Sequence, residues 1–172
     1  MKCEYCELLE KKEDIIYADE EIVVAVKDKV ATPGQLTVFP REHLTILEMV
    51  PPDLLEKCAV VANKVSIAIF EGLGSQGTNI IVQNGLGAGQ SVPHFGIEII
   101  PRQESDGLNF QWQPKQLMED EIEITHSLLV EGIDQTGKVI KKEKKIDSKE
   151  KKEVKEEKGK KNYLLKSLRR LP

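Results

Sequence analysis

The chain has 172 residues, which is enough for one domain with a hydrophobic core, and no apolar run reaches the roughly 18 residues that a membrane helix requires. Its formal net charge of −4 combines an acidic body, with 10 Lys and Arg against 23 Asp and Glu over residues 1–137, and a basic tail, with 15 against 6 over residues 138–172. An acidic body disfavours general binding of nucleic acid, and the lack of a charged and then apolar leader predicts a cytoplasmic protein.

The predicted elements of the body alternate between short strands and helices. A short helix is predicted within residues 6–12, followed by strands at residues 21–26 and 35–39. A long helix begins at residues 51–53, because proline fits the first turn, and ends at Gly72 and Gly74. The later elements are strands at residues 78–84 and 93–102 and a helix near residues 118–130.

The tail has a different composition from the body. Residues 138–161 are almost entirely Lys, Glu and Asp, so they lack the apolar content of a core and are predicted to be a disordered or solvated linker. Residues 162–172 place three leucines on one helical face, at Leu164, Leu168 and Leu171. We therefore expect either a short amphipathic helix that docks on an acidic surface or a protein partner, or a frayed, solvated end. Residues 1–137 are the predicted folded domain.

One strand carries an unusual set of residues on a single face. Residues 93–102 (PHFGIEIIPR) alternate, so His94, Gly96 and Glu98 lie on the same side. They follow a glycine-rich loop with the pattern N-G-x-x-x-G-Q-S-V-P-H. Loop and strand together resemble the signature of the histidine-triad (HIT) family, which has histidines at three alternating positions. The resemblance implies a degenerate triad, with Gly96 at the position of the nucleophile.

This departure bears on catalysis. In the family mechanism the central imidazole attacks the α-phosphorus, and glycine has no side chain with which to form that intermediate. We therefore predict no catalytic residue, with Glu98 as a weak candidate base toward water. The simpler interpretation of Glu98 is a polar lining residue or a carboxylate paired with Lys or Arg. A further histidine of the family pattern, just before the apolar run of the second predicted strand, is replaced by Gln35.

A possible metal site begins with two cysteines. Cys3 and Cys6 have the spacing with which two thiolates grip one zinc ion, although reduced thiols or a redox pair would show the same spacing. Zinc-containing histidine-triad proteins add the histidine of a Pro-basic-x-His segment and the first histidine of the triad. The resemblance implies that these ligands are His43 and His94. We therefore predict one structural zinc ion.

The resemblance also implies a phosphate-binding loop. Glycines allow backbone N–H groups to approach an anion, although such a loop is often only a turn. The family uses the asparagine, glutamine and serine of this loop to bind the α-phosphate. The residues implied for ligand binding are Asn84, Gly89, Gln90 and Ser91, together with Asp28, which resembles the family's ribose-binding acid.

The predicted fold class is α+β, a HIT-like antiparallel sheet with one long helix, a zinc-pinned N-terminus and a charged C-terminal tail. The resemblance implies a homodimer formed through the long helix and a sheet edge. Three functions follow as hypotheses. The chain is a non-catalytic protein that binds a nucleotide or other phosphate ligand, a nucleotide hydrolase or nucleotidyl transferase that uses Glu98, or a dimeric scaffold whose tail recruits a partner. The loop residues Asn84, Gln90 and Ser91 favour the first.

Overall fold

The computed structural model of the protein describes residues 3–109 and 112–140. The chain divides into two compact units between residues 111 and 112. The first unit contains a five-stranded sheet and two helices, and the second contains a third helix. Residues 141–172 lie outside the described part of the chain. The predicted amphipathic helix and most of the predicted linker therefore stay predictions.

The sheet of the first unit is antiparallel throughout. The strands are β1 (Ile15–Ala18), β2 (Ile22–Ala25), β3 (Leu36–Pro40), β4 (Gly77–Ile81) and β5 (Ile97–Arg102). In space they follow the order β1-β2-β3-β5-β4, and each neighbouring pair is antiparallel. This confirms the predicted α+β class and places β5, which carries Glu98 and follows His94 and Gly96, between β3 and β4.

The helices are α1 (Glu4–Lys11), α2 (Pro52–Leu73) and α3 (Glu119–Ile140). α2 confirms the predicted long helix. Proline stands in its first turn, and Gly74 follows its last residue with a φ of +61°, a left-handed conformation that glycine adopts without strain. α3 extends ten residues beyond its predicted end. Among the described helices, none combines the length and apolar character needed to cross a membrane.

Two differences from the predicted strands have physical reasons. β5 begins at Ile97 and not at residue 93, because proline has no N–H to donate to the ladder and the N–H of His94 bonds to the carbonyl of Val92 instead (2.8 Å). β1 was not predicted, because three of its four residues are exposed and show no alternation between buried and exposed positions. It pairs with β2 as an edge strand, across a register shift.

Both faces of the sheet are covered by helices. On one face, Ile97 and Ile99 of β5 belong to the large hydrophobic cluster that includes buried residues of α2. On the other face, Tyr5 of α1 belongs to a smaller cluster with Phe39 of β3. Since successive residues of a strand point to opposite faces, Glu98 lies on the face that α1 covers.

Candidate functional site

Four potential metal ligands converge beside the first turn of α1. Cys3 is the residue before α1 and Cys6 lies within its first turn, while His43 follows β3 and His94 precedes β5. Their ligand atoms, the sulfurs and one ring nitrogen from each histidine, all lie within 4.8 Å of one another. The structure therefore brings together all four residues predicted to hold the metal.

The spacing of these atoms suits tetrahedral coordination. The Sγ atom of Cys3 lies 3.5 Å from Nδ1 of His94, and that of Cys6 lies 3.3 Å from Nδ1 of His43 and 3.8 Å from Nδ1 of His94. A tetrahedral zinc ion with bonds of about 2.3 Å to sulfur and about 2.0 Å to nitrogen separates such ligands by about 3.5 Å. A metal ion of this size fits between the four groups.

The protonation of His94 also suits a metal ligand. Its Nε2 lies 2.9 Å from the carbonyl oxygen of Pro40, so Nε2–H donates there and Nδ1 keeps its lone pair toward the cysteines. Burial lowers the pKa of His94 below its usual value, and the neutral imidazole is the form that binds metal. Burial, and next the hydrogen bond with Cys3, raise the pKa of Cys6 to about 11. A cation between the sulfurs would stabilise the thiolates instead.

Tyr5 lies against Gly96, the position at which the family resemblance implies the nucleophile. A Cβ atom added to Gly96 would stand 3.0 Å from Cε2 of Tyr5 and 3.2 Å from Cγ2 of Thr37, which is tighter than most contacts of a real Cβ. The Tyr5 residue is only 4% exposed, and its ring stacks on Phe39 with a centroid separation of 4.6 Å. A side chain at position 96 would therefore require Tyr5 or Thr37 to move.

Glu98 is held by hydrogen bonds to both of its carboxylate oxygens. Oε1 accepts from Nζ of Lys27 (2.5 Å) and from the hydroxyl of Tyr5 (3.1 Å). Oε2 accepts from Nε2 of Gln35 (2.8 Å) and from the hydroxyl of Thr37 (2.9 Å). Burial, and next the charge of Glu98, raise the pKa of Tyr5, so the phenol stays protonated and donates. The interpretation of Glu98 as a carboxylate paired with a basic residue is confirmed.

Little space remains around these groups. The cavity that reaches Tyr5, Gly96 and Glu98 has a volume of about 20 Å³, close to what one water molecule requires. A wider cleft of about 200 Å³ shares Lys27, Gln83 and Glu98 with this cavity. The cleft is lined by Lys27, Ala31, Gln35, Ile81, Gln83, Glu98 and Ile100.

The predicted phosphate loop divides into residues that reach the cavity and residues that do not. Gln90 and Ser91 line it, but the Gln90 amide already bonds to Gly85 N–H (2.8 Å) and to the carbonyl of Thr45 (2.7 Å). Ser91 is exposed and keeps its hydroxyl at the rim.

The remaining predicted ligand-binding residues lie outside this lining. The Asn84 amide accepts from Leu47 N–H (2.9 Å) and donates to Glu48 (2.9 Å). Gly89 ends a 3-10 turn with a φ of +83°, and Asp28 lies exposed in a bend after β2. Their roles in binding a ligand therefore stay predictions.

Sequence reasoning missed the residues that close the site, namely Tyr5, Lys27 and Thr37. One feature of the sequence pointed to Tyr5. It stands between the two cysteines, and a metal bound to both cysteines would fix the position of the residues between them. Lys27 and Thr37 carried none, because their partner Glu98 lies 71 and 61 residues away along the chain.

The chain is similar to several known proteins. An uncharacterized HIT-like protein of Methanocaldococcus jannaschii is 32% identical over 108 residues, which cover 61% of this chain and 82% of that protein. An adenylylsulfatase of Arabidopsis thaliana is 30% identical over 108 residues, and the match spans 62% of this chain but only 55% of the plant protein. The crystal structure of a zinc-bound histidine triad family protein from Mycobacterium smegmatis is 30% identical, with a TM-score of 0.59 over 67% of this chain and 85% of that one.

The family assignment rests on more than half of the chain. Residues 9–105 match the HIT domain, and this range runs from α1 to the residues just after β5. It contains the glycine-rich loop, His43, His94, Gly96 and Glu98, whereas Cys3 and Cys6 precede it. The chain therefore belongs to the HIT family.

Proposed function

We propose that this protein is a zinc-containing HIT protein without nucleotidyl-transfer activity, which binds a nucleotide or another phosphate compound. The observation that carries the loss of activity is the contact between Tyr5 and Gly96. The mechanism of the family requires an imidazole at that position, and the ring of another residue lies against it. Glu98 cannot readily replace it as a base, because four donors already bond to its two oxygens.

The proposed metal is a structural zinc ion held by Cys3, Cys6, His43 and His94. Two thiolates and two imidazoles form a donor set typical of structural zinc, and they leave no open position for a substrate or water. When bound, the metal would tie the first turn of α1 to the ends of β3 and β5. The hydrogen bond from His94 to the carbonyl of Pro40 orients the His94 ring for this role.

While Tyr5 lies against Gly96, a phosphate ligand has room only at the rim of the filled pocket. A cavity of about 20 Å³ does not admit a phosphate group beside Gly96, whereas the neighbouring cleft of about 200 Å³ is open to a group of that size. Lys27 supplies a positive charge to both the small cavity and the cleft, although it is already paired with Glu98, and Ser91 supplies a hydroxyl at the small cavity. These two residues support an anionic ligand.

Binding without turnover is the expected result for AMP, a nucleoside phosphoramidate and a diadenosine polyphosphate. At a concentration of 100 times its Kd, a ligand that binds only the folded state adds about 2.7 kcal/mol to the unfolding free energy. We therefore expect at least one of these compounds to raise the Tm by several degrees, while chromatography of the incubated mixture shows no product. Ser91→Ala should reduce the rise in Tm.

The control for catalysis is Gly96→His, which restores the family residue type. We expect it to lower the Tm and to remain without turnover, because its Cβ meets Tyr5 and Thr37 and because Glu98 still replaces the third histidine. Turnover by the natural chain that disappears in Glu98→Gln would instead establish the hydrolase hypothesis. If none of the three compounds raises the Tm, the binding proposal is wrong.

The proposed assembly is a homodimer that uses the β4 edge of the sheet and the outer surface of α2. Ile80 of β4 is 51% exposed and Val60 of α2 is 48% exposed, and a second copy would bury both. Sedimentation velocity should give twice the monomer mass, and Ile80→Lys should shift the protein toward the monomer. A monomeric mass for the unmodified chain at micromolar concentration would refute this. Cytoplasmic location and a partner for residues 162–172 remain predictions from the sequence.

A further inference from the structure

One short helix carries both the candidate metal ligands and the ring that fills the pocket. Tyr5 stands between Cys3 and Cys6, and all three belong to the first turn of α1 or to the residue before it. The sulfurs contact His43 and His94, while the Tyr5 ring lies against Gly96. The metal site and the closed pocket are therefore joined by a single turn of backbone.

The attachment of Tyr5 can be described contact by contact. Its ring stacks on Phe39 at 26° and lies 5.4 Å from the ring of His94. Its hydroxyl donates to Glu98, and the ammonium group of Lys27 lies 5.5 Å from the ring centroid. These contacts hold the ring only while α1 stays against the sheet. An isolated helix of eight residues is not stable in water, so α1 depends on its anchors.

We propose that the metal keeps the space beside Gly96 closed, with Tyr5 as the closing residue, so that the metal and a phosphate ligand that enters beyond the rim bind with negative coupling. Loss of the metal from Cys3 and Cys6 removes the anchor on either side of Tyr5. The ring then leaves Gly96, and the cavity of about 20 Å³ that Tyr5 lines becomes wider. This regulation rests on the proposed function, since it supposes a zinc ion and a phosphate ligand.

The coupling between metal and ligand is negative, and it acts equally in both directions. A ligand that needs the open pocket binds more tightly to the metal-free protein, and by linkage it weakens the metal by the same factor. The apparent Kd of the zinc-loaded protein equals the intrinsic Kd divided by the fraction of molecules that are open. A substitution that removes the ring should therefore abolish the difference between zinc-loaded and zinc-free protein.

The position of Tyr5 can be measured directly by fluorine NMR of protein labelled with fluorotyrosine. The chain has three tyrosines, and Tyr5→Phe identifies the signal of interest, while half-exposed Tyr17 serves as an internal reference. With zinc bound, the Tyr5 signal should show no shift between H2O and D2O. After chelation it should acquire the solvent shift of an exposed ring, while the circular dichroism of the sheet and helices persists. A Tyr5 signal that stays buried without zinc would overturn the proposal, and so would unfolding of the whole unit, since α1 would then not move by itself.

A second measurement uses AMP as the probe and zinc-loaded protein throughout. Tyr5→Ala should bind AMP at least about tenfold more tightly than the natural chain, since we expect fewer than about a tenth of the natural molecules to be open. Tyr5→Phe keeps the ring and should bind as the natural chain does. Both variants should retain their zinc, because Tyr5 is not a ligand. Unchanged AMP affinity in zinc-loaded Tyr5→Ala would overturn the closing role, whereas absence of zinc from the natural chain would instead overturn the proposed function.

Discussion

Cys3→Ser should lower the zinc content from about one equivalent to near zero and lower the Tm of the protein markedly. Serine does not supply the thiolate that the proposed site requires. Cys3 is the more buried of the two cysteines. Structural zinc contributes roughly 10–16 kcal/mol in small zinc-finger peptides, which have little other core. This protein has a hydrophobic core between sheet and α2, so we expect a smaller loss of several kcal/mol, confined mainly to α1 and its contacts. Metal analysis and thermal unfolding would be measured together.

The matched control is Cys58→Ala, which also removes a buried free cysteine. Cys58 lies in α2 within the large hydrophobic cluster and is not among the four potential metal ligands. It should keep its zinc and lose only the stability expected from a smaller buried side chain. Folded Cys3→Ser protein with a full equivalent of zinc would contradict the assigned site.

Lys27→Met should destabilise the protein by about 3–5 kcal/mol, because it leaves the carboxylate of Glu98 buried without its cation. The two side chains are only 14% and 11% exposed, so water can replace little of the lost interaction. The methionine side chain retains most of the volume of the lysine stem, and the loss should therefore reflect charge more than packing. The change in unfolding free energy would be measured by urea denaturation.

Double substitution separates charge from packing at this pair. Glu98→Gln should cost less than Lys27→Met, because the flexible lysine stem can carry its ammonium group toward water. The double variant should recover much of the loss of Lys27→Met, since no uncompensated carboxylate remains. If the two single costs simply add in the double variant, Lys27 and Glu98 do not stabilise one another and the ion pair has no part in filling the pocket.

Local signals in the sequence determined the features that depend on neighbouring residues. The start of α2 follows from prolines that fit a first turn, and its end follows from Gly74, which adopts a left-handed conformation without strain. The four potential metal ligands followed from short spacings and from the family pattern, and their atoms do converge. The absence of a side chain at position 96 also follows from the sequence, because residue 96 is a glycine.

The sequence alone did not determine what takes the place of the lost histidines. Tyr5 meets Glu98 across 93 residues and Lys27 meets it across 71, and no local pattern encodes contacts of that range. Asn84 and Gln90 matched a phosphate loop by residue type, yet their amides also tie the loop to Leu47 and Thr45. Residue type and spacing thus determined the family and the four potential metal ligands. Tertiary packing decided that the face of the sheet with Gly96 and Glu98 is covered by α1 and filled by Tyr5, because burial and hydrogen bonding depend on where distant segments meet.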